Sequence, residues 1–158
     1  MSAAAVEDED TKTAFQTWFA ADTALSAAIP GGITDGAIVA GTAKPWCKIA
    51  CAQGPKPNEY IAPVRSGQGY HDFRKVTLTV TGVKAAVVAA VGLLRGRFDW
   101  QPKGDEAAGM TVPNTRKLVH VMPLPGSPRI EQDKARVAGD PQWNGILEYQ
   151  VHTVRTIP

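Results

Sequence analysis

The chain has 158 residues, of which 44% are hydrophobic and 20% are charged, and its net charge at pH 7 is +2. This length and composition predict one globular domain with a single hydrophobic core. A DNA-binding domain would carry a clustered basic face, and the sequence has none. No secretory signal opens it, and the apolar run 85–94 is shorter than the roughly 20 residues that cross a bilayer. We therefore expect a protein that is in the cytoplasm at least when it is made.

The two cysteines, Cys47 and Cys51, lie four positions apart in the segment WCKIAC. In a strand this separation is roughly 13 Å, which is too long for a disulfide. A metal site would need further ligands nearby, and no second cluster of Cys or His follows. The pattern therefore predicts two free structural thiols.

The first half of the chain predicts an arm, a helix, a strand and a long loop. Residues 1–10 are small and acidic, which is typical of a flexible arm. Apolar residues then recur at helical spacing from Asp10 or Thr11 to Ile29, interrupted only by Asp22, and Pro30 ends the helix. A strand is predicted at 46–52. The Pro- and Gly-rich segment 53–70 after it is too long and too broken for a core element.

The segment YHDFRKVTLTVTGVKAAVVAAVGLLRGRF, residues 70–98, predicts a strand that feeds directly into a helix. Val76, Leu78 and Val80 alternate with Lys and Thr, so one face of the strand is buried and the other is wet. After Gly82 the apolar residues change to helical spacing up to Phe98. Gly92 and Gly96 in this helix predict close approach of a neighbouring backbone.

The remainder predicts a second irregular segment at 99–116, a strand at 117–122 and a hairpin formed by 129–137 and 143–156. The whole order indicates an α+β domain over residues 11–158. We expect a mostly antiparallel sheet of four to five strands with two helices packed on it.

Known catalytic and phosphate-binding patterns are absent from the sequence: there is no G-x-S-x-G, and GTAKPW lacks the full phosphate-loop pattern. The three histidines, His71, His120 and His152, fall in separate predicted strands, a pattern more typical of a solvated sheet face than of a zinc site. We interpret His71-Asp72 as the polar start of a strand. Neither a catalytic residue, nor a metal, nor a cofactor is predicted.

Residues in or beside the two irregular segments are the best candidates for contacts with other chains, because exposed aromatic and long side chains favour interfaces. They are Tyr60, Arg65, Tyr70, Trp100 and Met110.

The chain resembles the tail terminator family of long-tailed bacteriophages and related neck and tail-completion proteins. The likeness lies in an opening helix and small-residue turn, FQTWFAADTALSAAIPGGITDGA, and in a first strand, KPWCKIA. It continues in the strand-helix centre DFRKVTLTVTGVKAAVVAAVGLLRGRF and the closing strand GILEYQVHTVR. The long segments 54–69 and 99–116 depart from the compact members of the family.

The resemblance implies a structural virion protein that forms a ring, hexameric in this family. Such a ring caps the tail tube, stops its polymerisation and joins the tail to the head connector, while DNA passes through the lumen without specific binding. Its partners would be further copies of itself, the tail tube protein and the connector. The acidic residues Glu7, Asp8, Glu9 and Asp10 could border the lumen, although a plain solvated arm is the simpler interpretation.

Two other interpretations stay open. The first is a head-closure or stopper protein of the same neck. The second is a small cytoplasmic enzyme or ligand-binding domain, which would need a pocket assembled from His71, Asp72, His120 or His152.

Overall fold

The computed structural model describes residues 3–54, 69–101, 110–113, 116–134 and 141–156. Within these ranges the chain forms an α+β unit with one mixed sheet and helices on one of its faces, which confirms the predicted class. The described elements are α1 (Ala3–Ala21), α2 (Thr23–Ala28), β1 (Ile33–Thr34), β2 (Trp46–Gln53), β3 (Gly69–Gly82), α3 (Lys84–Phe98), β4 (Arg116–Pro123), β5 (Arg129–Gln132) and β6 (Trp143–Thr156).

The sheet has the order β1-β2-β3-β6-β4, and β5 pairs with the end of β6 that β4 leaves uncovered. All pairings are antiparallel except that of β1 with β2. The described residues thus contain six strands and three helices, more than the predicted four to five strands and two helices. The two-residue β1 was missed because it is too short to show a period.

The central strands β3 and β6 pair over their full length, from Gly69 opposite Thr156 to Gly82 opposite Trp143. The alternation predicted for β3 is confirmed, since Val76, Leu78 and Val80 are all buried. The strand begins before the apolar pattern does, so His71-Asp72 lies inside it. The prediction that this pair belongs to a strand is therefore confirmed.

Strand β2 and the helix α3 follow the predicted bounds closely. Cys47 and Cys51 both lie on β2 as free thiols. Burial raises the pKa of each thiol to about 12, so both stay protonated at neutral pH. The predicted structural thiols are confirmed.

The first helical region differs from the prediction. Helix α1 begins at Ala3, so residues 3–10 are helical where a flexible arm ending near Asp10 was expected. The region also divides at Asp22, which has an extended backbone and accepts a hydrogen bond from the Leu25 backbone N–H. This N-cap starts α2 as a separate helix, because it satisfies a backbone donor that the first turn leaves unpaired.

The core lies between the helices and one face of the sheet. Phe15 of α1 stacks on Phe98 of α3 with ring centroids 4.7 Å apart, and both contact Tyr149 of β6. The Tyr149 hydroxyl donates to Asp99 Oδ1 at 2.8 Å, which satisfies the polar end of a buried ring. The opposite face of the sheet carries half-exposed polar residues such as Lys75, Thr77 and Thr79.

Close packing of α3 on the sheet depends on a glycine of the strand rather than of the helix. A Cβ added at Gly145 would lie 2.5 Å from Val91 Cγ2 and 2.8 Å from Val87 Cγ1. A Cβ at Gly92 or Gly96 would meet nothing within 4 Å. The prediction that Gly92 and Gly96 admit a neighbouring backbone is therefore wrong within the described residues, because both lie on the outer side of α3.

The later predictions are confirmed in part. Strand β4 matches the predicted 117–122, with a register shift between Leu118 and His120. Strand β5 ends at Gln132, short of the predicted 137, and residues 135–140 lie outside the described ranges. The 99–116 segment is anchored at both ends, since the Val121 N–H donates to Gln101 O and both Met110 and Val112 are buried.

We expect Gly145→Ala to lower the free energy of unfolding by about 1–3 kcal/mol, because the new methyl group must displace two branched side chains of α3. Gly92→Ala is the matched control. It adds the same methyl group to open space in a helix and should raise the free energy of unfolding by up to about 1 kcal/mol. Equilibrium unfolding in urea measures both values, and equal effects of the two substitutions would contradict the packing described.

Candidate functional site

The structure places the neighbours His71 and Asp72 on opposite faces of the sheet. Asp72 turns to the helix side, where its Oδ2 accepts a hydrogen bond from Arg74 Nε at 2.9 Å. His71 turns to the other side and meets His152. A pocket in which this His and this Asp act together is therefore not formed, although each residue belongs to a cluster of its own.

The first cluster is a buried ion network beneath α1. Arg74 is 3% exposed, and besides Asp72 its guanidinium binds Asp8 Oδ1 through Nη1 at 2.9 Å. The Cys51 thiol donates to the same Asp8 oxygen at 3.6 Å. Arg74 is a buried cation that binds Asp72 of its own strand and Asp8 of α1. It fixes the position of α1 on β3, because moving Asp8 away would leave part of the buried guanidinium charge unpaired.

This network changes the assignment of the acidic N-terminal residues. Asp8 lies against the sheet and Asp10 is buried, so neither belongs to a plain solvated arm. Glu9 is exposed and pairs with Lys12, which also binds Asp35 Oδ2 at 2.9 Å. The Lys12 ammonium holds the pKa of the Asp35 carboxyl below its usual range through its hydrogen bond. The side chain of Glu7 lies outside the described part of the chain.

The second cluster joins all three histidines of the chain on the face of the sheet opposite the helices. His71 Nδ1 of β3 lies 2.9 Å from His152 Nε2 of β6, and His120 of β4 meets the His152 ring edge-on with centroids 5.1 Å apart. Phe73 stacks on His152 at 4.2 Å. The expectation of separate histidines on a solvated face is wrong, because His152 is only 3% exposed.

Burial disfavours the protonated form of His152, the central ring of the cluster. The pKa of His152 is lowered to about 4, first by desolvation and then by the neighbouring His120 and His71. His120 Nε2 is buried, and it has no hydrogen-bond partner among the described residues. No group of three or more His, Cys, Asp or Glu among the described residues is arranged to hold a metal ion.

The predicted contact residues are scattered. Tyr60 and Arg65 lie outside the described residues, as does the side chain of Tyr70, whose backbone belongs to β3. Met110 is 4% exposed and packs in the core, so its prediction as a surface contact is wrong. Trp100 is the remaining member, and it is 61% exposed.

Trp100 combines exposure with a backbone conformation that disfavours its side chain. Its φ is 63°, in the left-handed region. Among the described residues, no other non-glycine residue has a positive φ. For an L-residue this costs roughly 1–2 kcal/mol, and glycine is the usual choice where a chain leaves a helix in this way. The turn lets Gln101 fold back, with its amide donating to Arg97 O at 2.6 Å. A bulky exposed ring held there makes Trp100 a candidate for function.

Trp100 continues an exposed apolar stripe along α3, which we call the α3 outer face. The stripe starts near Val83 and consists of residues at successive turns of the helix: Ala85, Val88, Ala89, Gly92 and Gly96. Val83 and Val88 are among the large hydrophobic side chains that the fold leaves exposed. The small residues leave the helix surface without protruding side chains, so another surface can approach its backbone closely.

A concave surface lies near the other end of α3, which we call the 38–46 groove. It has a volume of about 510 Å³, and its lining includes Ile38, Val39, Trp46 and Gln142. Val39 is 75% exposed on its rim. Trp46 pairs with Thr81 at the end of β3, next to the start of α3. The groove and Trp100 therefore stand at opposite ends of a helix of about 22 Å.

Comparison of the sequence with known proteins identifies no relative. No protein-family model matches the chain, and a search of curated proteins gives no significant match. Among the helices in the described residues, none is both long and apolar enough to cross a membrane.

We expect Arg74→Ala to lower the free energy of unfolding by about 3–5 kcal/mol, because it leaves two carboxylates beneath α1 without their cation. Lys75→Ala is the control on the adjacent position. Lys75 points to the opposite face, where its Nζ binds Glu148 Oε1 at 2.8 Å while half exposed, so its loss should cost at most about 1 kcal/mol. Chemical denaturation followed by circular dichroism measures both, and a cost for Arg74→Ala as small as that of Lys75→Ala would contradict the network.

Proposed function

We propose that the protein is a structural component of a bacteriophage tail or neck, a tail terminator that assembles into a ring on the end of the tail tube. The observation that carries the proposal is the strained, exposed Trp100 at the end of the α3 outer face. Most of the Trp100 side chain lies in solvent while its backbone is strained, so the fold of the single chain gains little from it. A contact with another chain supplies the reason to keep it.

The arrangement of surfaces supports a ring in particular. A ring joins its subunits head to tail, so each subunit needs two different patches that face in different directions. The α3 outer face ends at the exposed Trp100 side chain, and the 38–46 groove is concave. Trp100 and the groove lie at opposite ends of α3, and we assign the subunit contact to the α3 outer face and the groove.

The net charge of +2 also suits the proposed role. A conduit for DNA must let its cargo pass, and a strongly basic surface would hold the phosphate backbone. The partners under this proposal are further copies of the chain, the tail tube protein and the head connector. No cofactor is needed.

Particles assembled without this protein test the role directly by negative-stain electron microscopy. A terminator predicts overlong or unjoined tails, because nothing stops the tube. Tails of normal length beside emptied heads would instead assign the protein to head closure. Normal, infectious particles would contradict a structural role and return attention to the histidine cluster.

A second experiment tests the assigned surface. Ala89→Arg and Trp100→Ala should abolish tail-length control when supplied in place of the natural chain, because the first places a long charged side chain on the α3 outer face and the second removes its aromatic ring. Both residues are exposed in the single chain, so the free energy of unfolding should change by no more than about 0.5 kcal/mol for Ala89→Arg.

Ala27→Arg is the matched control for that experiment, since Ala27 is an exposed alanine of the helix α2. It should leave both tail length and infectivity unchanged. If Ala89→Arg and Trp100→Ala behaved like Ala27→Arg, the subunit contact would not use the α3 outer face.

A further inference from the structure

We infer that the three histidines form an acid-released latch that holds the edge strand β4 to the centre of the sheet. This inference does not depend on the proposed function, since it concerns how one strand is attached within a single chain. The latch consists of His71, His120 and His152, one from each of three neighbouring strands.

The contacts within the cluster are favourable only while the histidine rings are not all protonated. The 2.9 Å contact between His71 Nδ1 and His152 Nε2 is a hydrogen bond in which one ring donates and the other accepts. Two protonated rings would present hydrogens to each other and lose that bond. The edge-on His120 ring, 5.1 Å from the same His152, would add a third positive charge.

The surroundings compensate such charge only in part, because the attraction of Asp72 for a proton on His152 is outweighed by desolvation and by the other two histidines. On the same face β6 carries Glu148, which is already held by Lys75 at 2.8 Å and by Arg129 at 3.1 Å. Lys75 of β3 and the exposed Lys117 of β4 are themselves positive. The carboxylate nearest in sequence, Asp72, lies on the other face and binds Arg74. Like charges within a partly buried cluster repel strongly.

Strand β4 is the element that this repulsion would release. It pairs with β6 on one side, and its ladder already shifts register between Leu118 and His120. On its other side the described contact is the isolated bridge from Val121 to Gln101. Strands β3 and β6, by contrast, are joined along fourteen residue pairs, from Gly69–Thr156 to Gly82–Trp143. Opening β4 therefore costs less than parting the centre of the sheet.

The direction of the pH dependence follows from His152. Its pKa of about 4 in the folded chain lies below the ordinary value of 6.5. Between these values the unfolded or opened chain binds the proton and the closed chain does not, so stability falls as pH decreases through this window. Above pH 6.5 the latch is fully closed. The hydrogen bonds that lower the pKa of Asp35 and Glu148 act at lower pH, near or below the ordinary carboxyl values.

Thermal unfolding tests the latch, in buffers with a chelator so that no metal ion contributes. The wild-type Tm should fall by about 3–6 °C between pH 7.5 and 5.0. His152→Gln removes the central ring and should flatten most of that change. His120→Gln, at a half-buried edge position, should flatten part of it and keeps the test available if His152→Gln fails to fold.

Native-state hydrogen exchange locates the effect. Protection factors of β4 amides should fall at least about tenfold more than those of β2 amides when the pH is lowered over the same range, and His120→Gln should abolish the difference. Equal pH dependence of Tm in the wild type and the histidine variants would overturn the inference. So would loss of protection that spreads evenly over β2 and β4.

Discussion

The pairing of β3 with β6 is the constraint on which the remaining structure depends. It extends from Gly69–Thr156 to Gly82–Trp143, and it sends alternate residues to opposite faces of the sheet. One face receives the helices and the Arg74 ion network, and the other receives the histidines. Adjacent residues therefore have unrelated roles: His71 belongs to the latch and Asp72 to the anchor of α1.

The helix side and the outer surface are linked through α3. Its inner side packs so closely on β6 that only glycine fits at position 145. Its outer side is left apolar and smooth, and its end carries Trp100 in a conformation that costs energy. The packing of the described residues explains the inner side and does not cover the outer side, which is why we propose that the outer side serves assembly.

Periodic segments could be predicted from the sequence, and contacts between distant segments could not. The strand-to-helix transition at Gly82 could be predicted because the spacing of apolar residues changes there from every second residue to helical spacing. The free thiols could be predicted from the four-residue separation of Cys47 and Cys51. The histidine cluster depends on the register of three strands, and a shift of one residue would separate the rings. Asp8 was unpredictable for the same reason, since its partner Arg74 lies 66 positions away. Asp22, a capping residue inside an apolar seam, was the one local signal that could have been recognised.

We propose that the α3 outer face is covered when the protein assembles. Hydroxyl-radical footprinting of the isolated chain and of the chain within the particles proposed for it measures this directly. We expect Val88 and Trp100 to lose most of their reactivity in the particle. Equal reactivity of both side chains in the two states would contradict it.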